Sequence, residues 1–296
     1  MKRSTIVSLV VLGGLVLLAY FVLQRPGEQS RTGDDQDYLV DYDSAAISRM
    51  EVTSGNGHVV IEKIDGIWTI TNPIKYPAAD FLVVRAVGTG RTIPLKSVVS
   101  TNPSKQGLFQ VDSTAMLVRF YEGATEKAVF RVGKATTSFS ETYVRAEGSD
   151  EVFIAEGILG SIFDRKSADW RDKGIYTTPR ENLTAVRFSY GDTAFSVTKH
   201  DTVWMVDDEP IGEPTSFIAS LSDFDTQNFI DTVITKLPAL TAVIQVDDVV
   251  IRFHYDLPTK TYVVQRAGTD QLFSVTVWKA KQLLLRKEDF LKMKRT

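Results

Sequence analysis

Beyond residue 46, apolar and polar residues alternate with a period of two along much of the chain, a pattern that predicts half-buried antiparallel strands. Two stretches carry it most clearly, Ile47–Thr71 and Leu183–Asp207, and at the offset that takes Trp68 onto Trp204 they align without a gap. Ile47 falls on Leu183, Met50 on Val186, Val52 on Phe188, Val59 on Phe195, Ile61 on Val197, Ile67 on Val203 and Ile70 on Val206. Gly55, Lys63, Asp65 and Trp68 fall on Gly191, Lys199, Asp201 and Trp204. Each copy therefore reads as three short strands joined by tight turns. Asp65 and Asp201 are expected in the turns, where a short side chain bonds the local backbone. A hairpin repeated with its aspartate and tryptophan, and with no companion reactive group, reads as a core staple of the fold unit.

The same offset places Asp80-Phe81 on Ser216-Phe217, each opening a helical stretch after a proline, Pro77 or Pro214. Asp80 and either Thr215 or Ser216 are the expected N-caps. Phe217, Leu221 and Phe224 form the apolar stripe of the second helix, and Phe81, Val84 and Val87 that of the first. The register then changes, because the first copy carries an insertion around Asn102–Val111. Beyond it, Glu141–Lys173 lies over Thr261–Met293, with Gly148 on Gly268, Phe153 on Phe273 and Asp169 on Asp289. This block reads as a hairpin turning at Gly-Ser-Asp or Gly-Thr-Asp, a short helix (Ile158–Phe163; Trp278–Leu285) and a closing pair, Asp169-Trp170 or Asp289-Phe290. Met116–Tyr121 with Ala128–Val132, and Ala242–Val246 with Val249–Tyr255, read as further hairpin strands.

At the start of the chain the pattern is different. Ile6–Leu23 is an uncharged run of 18 residues preceded by Lys2 and Arg3. As a helix it would extend ~27 Å, close to the hydrocarbon thickness of a bilayer. Bulky residues at Leu18–Leu23 leave no small-x-small cleavage site, so the run reads as an uncleaved signal anchor. The basic residues before it and the aspartates after it place the amino terminus in the cytoplasm and the rest of the chain outside. Residues 24–44 are polar, with Pro26, Gly27, Asp34, Asp35, Asp37, Asp41 and Asp43, and read as a solvated spacer. The aspartates lack the glycine and closing glutamate of an EF-hand loop.

The expected fold class is α+β: an N-terminal transmembrane helix followed by two tandem copies of a mainly antiparallel β module with one or two short helices each. The organisation is a cytoplasmic tip and anchor (1–24), an acidic flexible linker (25–44), a first repeat (45–178) and a second repeat (179–296), with Thr177-Thr178-Pro179 at the junction. A chain of 296 residues accommodates these parts, and 43% hydrophobic and 24% charged residues belong to a globular protein. A net charge of -3 without a basic, aromatic-interleaved run argues against nucleic acid as a partner. The lack of cysteine excludes disulfides, thiolate metal sites and a cysteine nucleophile.

Candidate chemistry is sparse. Val132-Gly133-Lys134-Ala135 resembles the end of a phosphate loop, but Ala128 and Ala135 stand where a Walker A motif needs glycine and a hydroxyl, so a strand-ending turn is expected. His58, His200 and His254 lack the i, i+4 spacing of a helical metal site. No Gly-x-Ser-x-Gly occurs. Asn182-Leu183-Thr184 matches a glycosylation acceptor, yet Leu183 is an expected core position. The basic tail, Lys292, Lys294 and Arg295, reads as a solvated helix end, with an anionic membrane or partner surface as the alternative. No catalytic, cofactor-binding or metal-ligating residue is therefore assigned, and an enzyme is not expected.

The anchor, Lys63-x-Asp65-Gly66-x-Trp68, the Pro77 to Asp80 helix start, Gly107-Leu108, Val132-Gly133 and Ala168-Asp169-Trp170-Arg171-Asp172-Lys173 together resemble the family called domain of unknown function 4340. The resemblance covers most of residues 47–190, with the second copy a diverged echo. Where that family usually has a proline after the glycine-leucine pair, Phe109–Asp112 has none. The resemblance implies a bacterial envelope protein, often found beside ABC transport systems of the gliding-motility type, and it brings no catalytic residue. The expected protein is thus a single-pass protein of the bacterial inner membrane with periplasmic modules. It would bind or scaffold as an accessory of an ABC-type transport complex, with the membrane (Ile6 to Leu23) and protein subunits as partners. Two alternatives remain: a module binding a glycan, lipid or peptide between the repeats, for which Trp68, Trp170 or Trp204 would line the groove, and an enzyme of unknown reaction.

Overall fold

The structure is a computed structural model that describes residues 37–191, 193–226 and 228–293. The anchor expected over Ile6–Leu23 and the tail residues Lys294 and Arg295 lie outside them. Among the described residues no helix is long and apolar enough to cross a membrane.

In the first module the strands are β1 (Arg49–Ser54), β2 (Gly57–Ile64), β3 (Ile67–Asn72), β4 (Tyr76–Pro77), β5 (Leu95–Ser100), β6 (Met116–Glu122), β7 (Thr125–Ala135), β8 (Glu141–Ala146) and β9 (Val152–Glu156). They form one sheet in the order β4-β3-β2-β1-β6-β7-β8-β9-β5. After the connecting strand β10 (Gly174–Thr177) come β11 (Ala185–Tyr190), β12 (Thr193–His200), β13 (Val203–Val206) and β14 (Glu209–Ile211). Then follow β15 (Asp223–Asp225), β16 (Asn228–Ile230), β17 (Leu240–Val246), β18 (Val249–Asp256), β19 (Thr261–Arg266) and β20 (Leu272–Thr276). The second sheet runs β14-β13-β12-β11-β17-β18-β19-β20-β16, which is the order of the first, strand for strand. Neighbouring strands pair antiparallel throughout, as the period-two pattern requires.

The duplication extends to register. Met50 opposes Ile61 and Val52 opposes Val59, as Val186 opposes Val197 and Phe188 opposes Phe195. Lys63 opposes Trp68, as Lys199 opposes Trp204. Such matching follows from side-chain alternation, because a slip by one residue would turn every apolar position into water. The inward residues make two separate cores. One contains Met50, Ile61, Trp68, Phe120, Phe130 and Trp170, the other Val186, Val197, Trp204, Phe253 and Phe290. Asp65 takes a positive φ of 51° and Asp201 one of 55°, the turn conformation in which a short polar side chain is tolerated.

The helices depart from the sequence expectation in detail. In α1 (Asp80–Arg91) the cap is Ala79, and Asp80 sits inside the first turn, where its charge meets the positive end of the helix rather than bonding a free amide. Pro214 likewise precedes the helix Thr215–Ser222, and neither Thr215 nor Ser216 caps it. The stripe of Phe217, Leu221 and Phe224 is buried as expected, but Phe224 belongs to β15. On α1 the packed face is Val83, Ala86, Val87 and Gly90, and Phe81 and Val84 face solvent. Tyr42 fixes this rotation. Its hydroxyl donates to the Val87 carbonyl at 2.7 Å and its ring lies 5.1 Å from that of Phe120, over Gly90, where a Cβ would clash with both. Burial pushes the Tyr42 phenol up.

Part of the stretch read as linker is therefore docked. Tyr38 bridges to Pro94, and Leu39 donates to the Ile93 carbonyl. In the second module β10 pairs with β15 at the corresponding place. Ile175 and Tyr176 of β10 pack into the second core.

Gly133 is a correction. It lies within β7 and ends no strand. The insertion after β5, which includes α2 (Gln106–Phe109), brings the Phe109 carbonyl and Val111 so close that a Cβ at residue 133 would overlap both. The insertion covers the outer face of β7 and β8, where Arg145 donates to the Val111 carbonyl at 2.9 Å and Arg131 to that of Ser113 at 3.2 Å. The length difference between the copies is not confined to it, because α1 has 12 residues and its counterpart 8.

The remaining helices are α3 (Gly160–Phe163), α4 (Ser167–Trp170), α5 (Thr215–Ser222), α6 (Val277–Leu283) and α7 (Lys287–Leu291). They match the short helices and closing aspartate-aromatic pairs read from sequence. Trp170 and Phe290 are both fully buried.

Candidate functional site

Where the two modules meet, β4 of the first sheet and β16 of the second are both outermost strands. Between them lies a cleft of about 720 Å³. One wall is Ile74–Pro77 with Asp172 and Gly174, and the other is Ile230–Ile234 with the β19–β20 turn from Arg266 to Phe273. The copies differ here. In the second module β13 and β14 are joined by Asp207-Asp208 alone, whereas Pro73, Ile74 and Lys75 join β3 to β4 and extend that wall.

The floor is held by Arg171, at the end of α4. Its guanidinium donates to the Asp231 carboxylate at 2.7 Å and stands 4.7 Å from the Phe229 ring centroid and 5.7 Å from that of Tyr76. Tyr76 and Phe229 meet edge to face at 5.4 Å. Arg171 is almost wholly buried, and its Nε has no hydrogen-bond partner, so Asp231 is the charge that compensates it. Thr226 donates to the Lys173 carbonyl and Thr178 to that of Ser222, which extends the β10–β15 ladder of the second module at both ends. Burial pushes the Tyr76 phenol up to about 12, with the Asp172 carboxylate adding to the rise and Arg171 opposing it.

Among the described residues, the cleft lining contains no Ser, Cys or His. Its charged side chains are Lys75, Asp172, Asp231, Arg266 and Asp270. The Asp172 carboxylate accepts the Gly174 amide at 3.0 Å. Such a lining can hold a polar or charged partner by complementary contacts. The lining also carries the hydroxyls of Thr232, Thr269 and Tyr76.

The three histidines stay apart. His58 bonds Thr53, His200 bonds Thr198, and buried His254 bonds the Pro238 carbonyl through Nδ1 at 2.9 Å. Among the described residues no group of three His, Asp or Glu side chains is placed to hold a metal ion. Trp68, Trp170 and Trp204 are 4%, 0% and 4% exposed, so none of them lines a groove; all three fill cores. Sequence reasoning missed Tyr76, Arg171, Phe229 and Asp231. The self-alignment gave no signal for Arg171, because it pairs Arg171 with Leu291, and the next residues, Asp172 and Lys173, with Lys292 and Met293.

A family model described as Domain of unknown function (DUF4340) matches residues 68–248, from the first core tryptophan into the β17–β18 turn. No curated protein and no solved structure matches the chain.

Proposed function

The chain belongs to the family described as Domain of unknown function (DUF4340), and from that premise we propose that it is a membrane-tethered binding or scaffold protein that engages its partner at the cleft between its modules. The uncharged run Ile6–Leu23 behind Lys2 and Arg3 serves as a single-pass anchor in a bacterial inner membrane. The two β modules stand on its outer side. The partner is a membrane transport complex of the ABC type, to which the protein is an accessory.

One observation carries the reading: the cleft opens between outermost strands of two sheets and is lined by apolar side chains with a few charged groups from both modules. Recognition, rather than bond-making, is what such a lining supports.

Purification of the tagged full-length chain from its own membranes in mild detergent tests the proposal. Recovery with ABC permease and ATPase subunits, identified by mass spectrometry, is the expected outcome. Recovery as a lone monomer contradicts it.

A further inference from the structure

We propose that the end of the first module where the chain enters it faces the lipid bilayer, and that the turn tips Phe139 and Ile158 insert into the bilayer's interfacial layer. This rests on the membrane tether in the reading above and is independent of the cleft.

The first observation is where the chain arrives. Residues 24–36 separate the run Ile6–Leu23 from Asp37, the first described residue. A spacer of that length reaches no more than ~45 Å even fully extended. Tyr38 then bridges to Pro94, just before β5, and the Pro94 carbonyl accepts the Glu156 amide at the end of β9. The next amide, of Gly157, donates to the Ser140 carbonyl just before β8. These contacts follow one end of the sheet from strand to strand. The β7–β8 turn therefore stands about three strand spacings, ~15 Å, from Tyr38.

The second observation is what this end shows to solvent. Phe139 is 75% exposed, Ile158 51% and Tyr38 48%. Phe139 sits at the tip of the β7–β8 turn with a φ of 56°, a left-handed conformation in which a bulky side chain is an outlier. The turn is fixed there: the Phe139 amide donates to the Thr136 carbonyl at 3.1 Å, and the Ser138 hydroxyl bonds those of Thr136 and Ser140 at 2.8 and 3.1 Å. A turn that holds an aromatic ring outward against its backbone preference presents that ring for contact. Ile158 follows β9 in the same way, and the core takes its neighbour Leu159 instead. The carboxylates at this end, Glu141 and Glu156, both pair with Lys96, at 2.8 and 3.4 Å, which reduces the negative charge brought to a lipid surface. Apolar tips on separate turns, next to the point of entry from the anchor, suit a deformable interface, where aromatic and aliphatic side chains partition. Because the tether keeps them near the bilayer, an insertion too weak to recruit a free protein is enough.

The chain has no cysteine, so a single one can carry an environment-sensitive fluorophore. Phe139→Cys, Ile158→Cys and Ala124→Cys are labelled in the full-length protein, in vesicles of phosphatidylethanolamine and phosphatidylglycerol with or without headgroup-spin-labelled lipid. All three side chains are exposed, so the substitutions leave the cores intact. Ala124 is the control, in the turn at the other end of β7, whose 11 residues span ~35 Å. Emission from residues 139 and 158 should shift to the blue and fall at least about two-fold with the spin-labelled lipid, and that from residue 124 should do neither. Equal emission from all three positions, in protein that floats with the vesicles, overturns the inference and leaves the tether standing. A blue shift without lipid quenching means that protein, such as a second copy, covers the tips, and overturns it as well. A chain that does not float with the vesicles contradicts tether and inference together.

Discussion

Lys63 and Trp68 face each other across the β2–β3 ladder, with the ammonium 5.8 Å from the ring centroid. Lys199 and Trp204 repeat the relationship at 5.8 Å on β12 and β13. The lysine stem covers one face of the ring while its charge stays in water. Trp68→Ala or Trp204→Ala should each cost ~3–5 kcal/mol, because each empties a core position. Lys63→Ala should cost no more than ~1 kcal/mol, as for an exposed cation over a ring. Urea unfolding of the three variants checks both figures, and equal losses for lysine and tryptophan would contradict the assignment of the ring to the core.

Gly133 tests the insertion. A methyl group there meets the Phe109 carbonyl and Val111. Gly133→Ala should lose ~1–3 kcal/mol through overpacking. Gly55→Ala, which meets nothing within 4 Å, should stay within ~0.5 kcal/mol of wild type. The comparison is made by equilibrium denaturation.

Arg171 and Asp231 couple the modules. Asp231→Ala leaves the buried guanidinium without its carboxylate. Since the Asp231 side chain is half exposed, the loss should fall below that for a fully buried pair, at ~1–3 kcal/mol. Without the pair, unfolding of the two cores should also separate, so that tryptophan fluorescence in urea shows two transitions instead of one. A single transition at the wild-type midpoint would contradict this role for the pair.

Acid should weaken the protein. Its hydrogen bond to Arg131 holds the Glu147 carboxyl below its usual range, and the bond from Lys287 does the same for Asp207. At a pH between the folded and unfolded values, the unfolded chain binds more protons than the folded one, so stability rises with pH there. The contribution is complete above the ordinary carboxylate value of ~4 and disappears as pH falls through the lowered, folded value. Thermal unfolding between pH 3 and 7 should show this slope, and Glu147→Gln should flatten it.

Much of the fold could be read from the chain because the period-two pattern occurs twice. Register, turn and tryptophan each appear with an internal control, as Val52 with Phe188 and Asp65 with Asp201 show. The edge strands were not legible. β4 has two residues and β16 three, too few for a period to emerge, and β5 has no buried residue. The α1 face was misread because Phe81 and Val84 satisfy helical spacing while the chain packs Ala86 and Gly90 inward to admit Tyr42 and Phe120. The cleft lies where those short strands meet, so the part of the molecule best suited to recognition carries the weakest sequence signal.

A photo-crosslinking amino acid placed at Val233 in the full-length protein, in native membranes, tests the central claim most directly. Val233 is 91% exposed on the cleft wall. Leu257, 72% exposed beyond the far end of β19, is the control position. A crosslink from residue 233 to a transport-complex subunit, with none from residue 257, is the predicted result. Equal crosslinking from both positions, or none from residue 233 while the complex still co-purifies, would contradict the assignment of the cleft as the partner-binding surface.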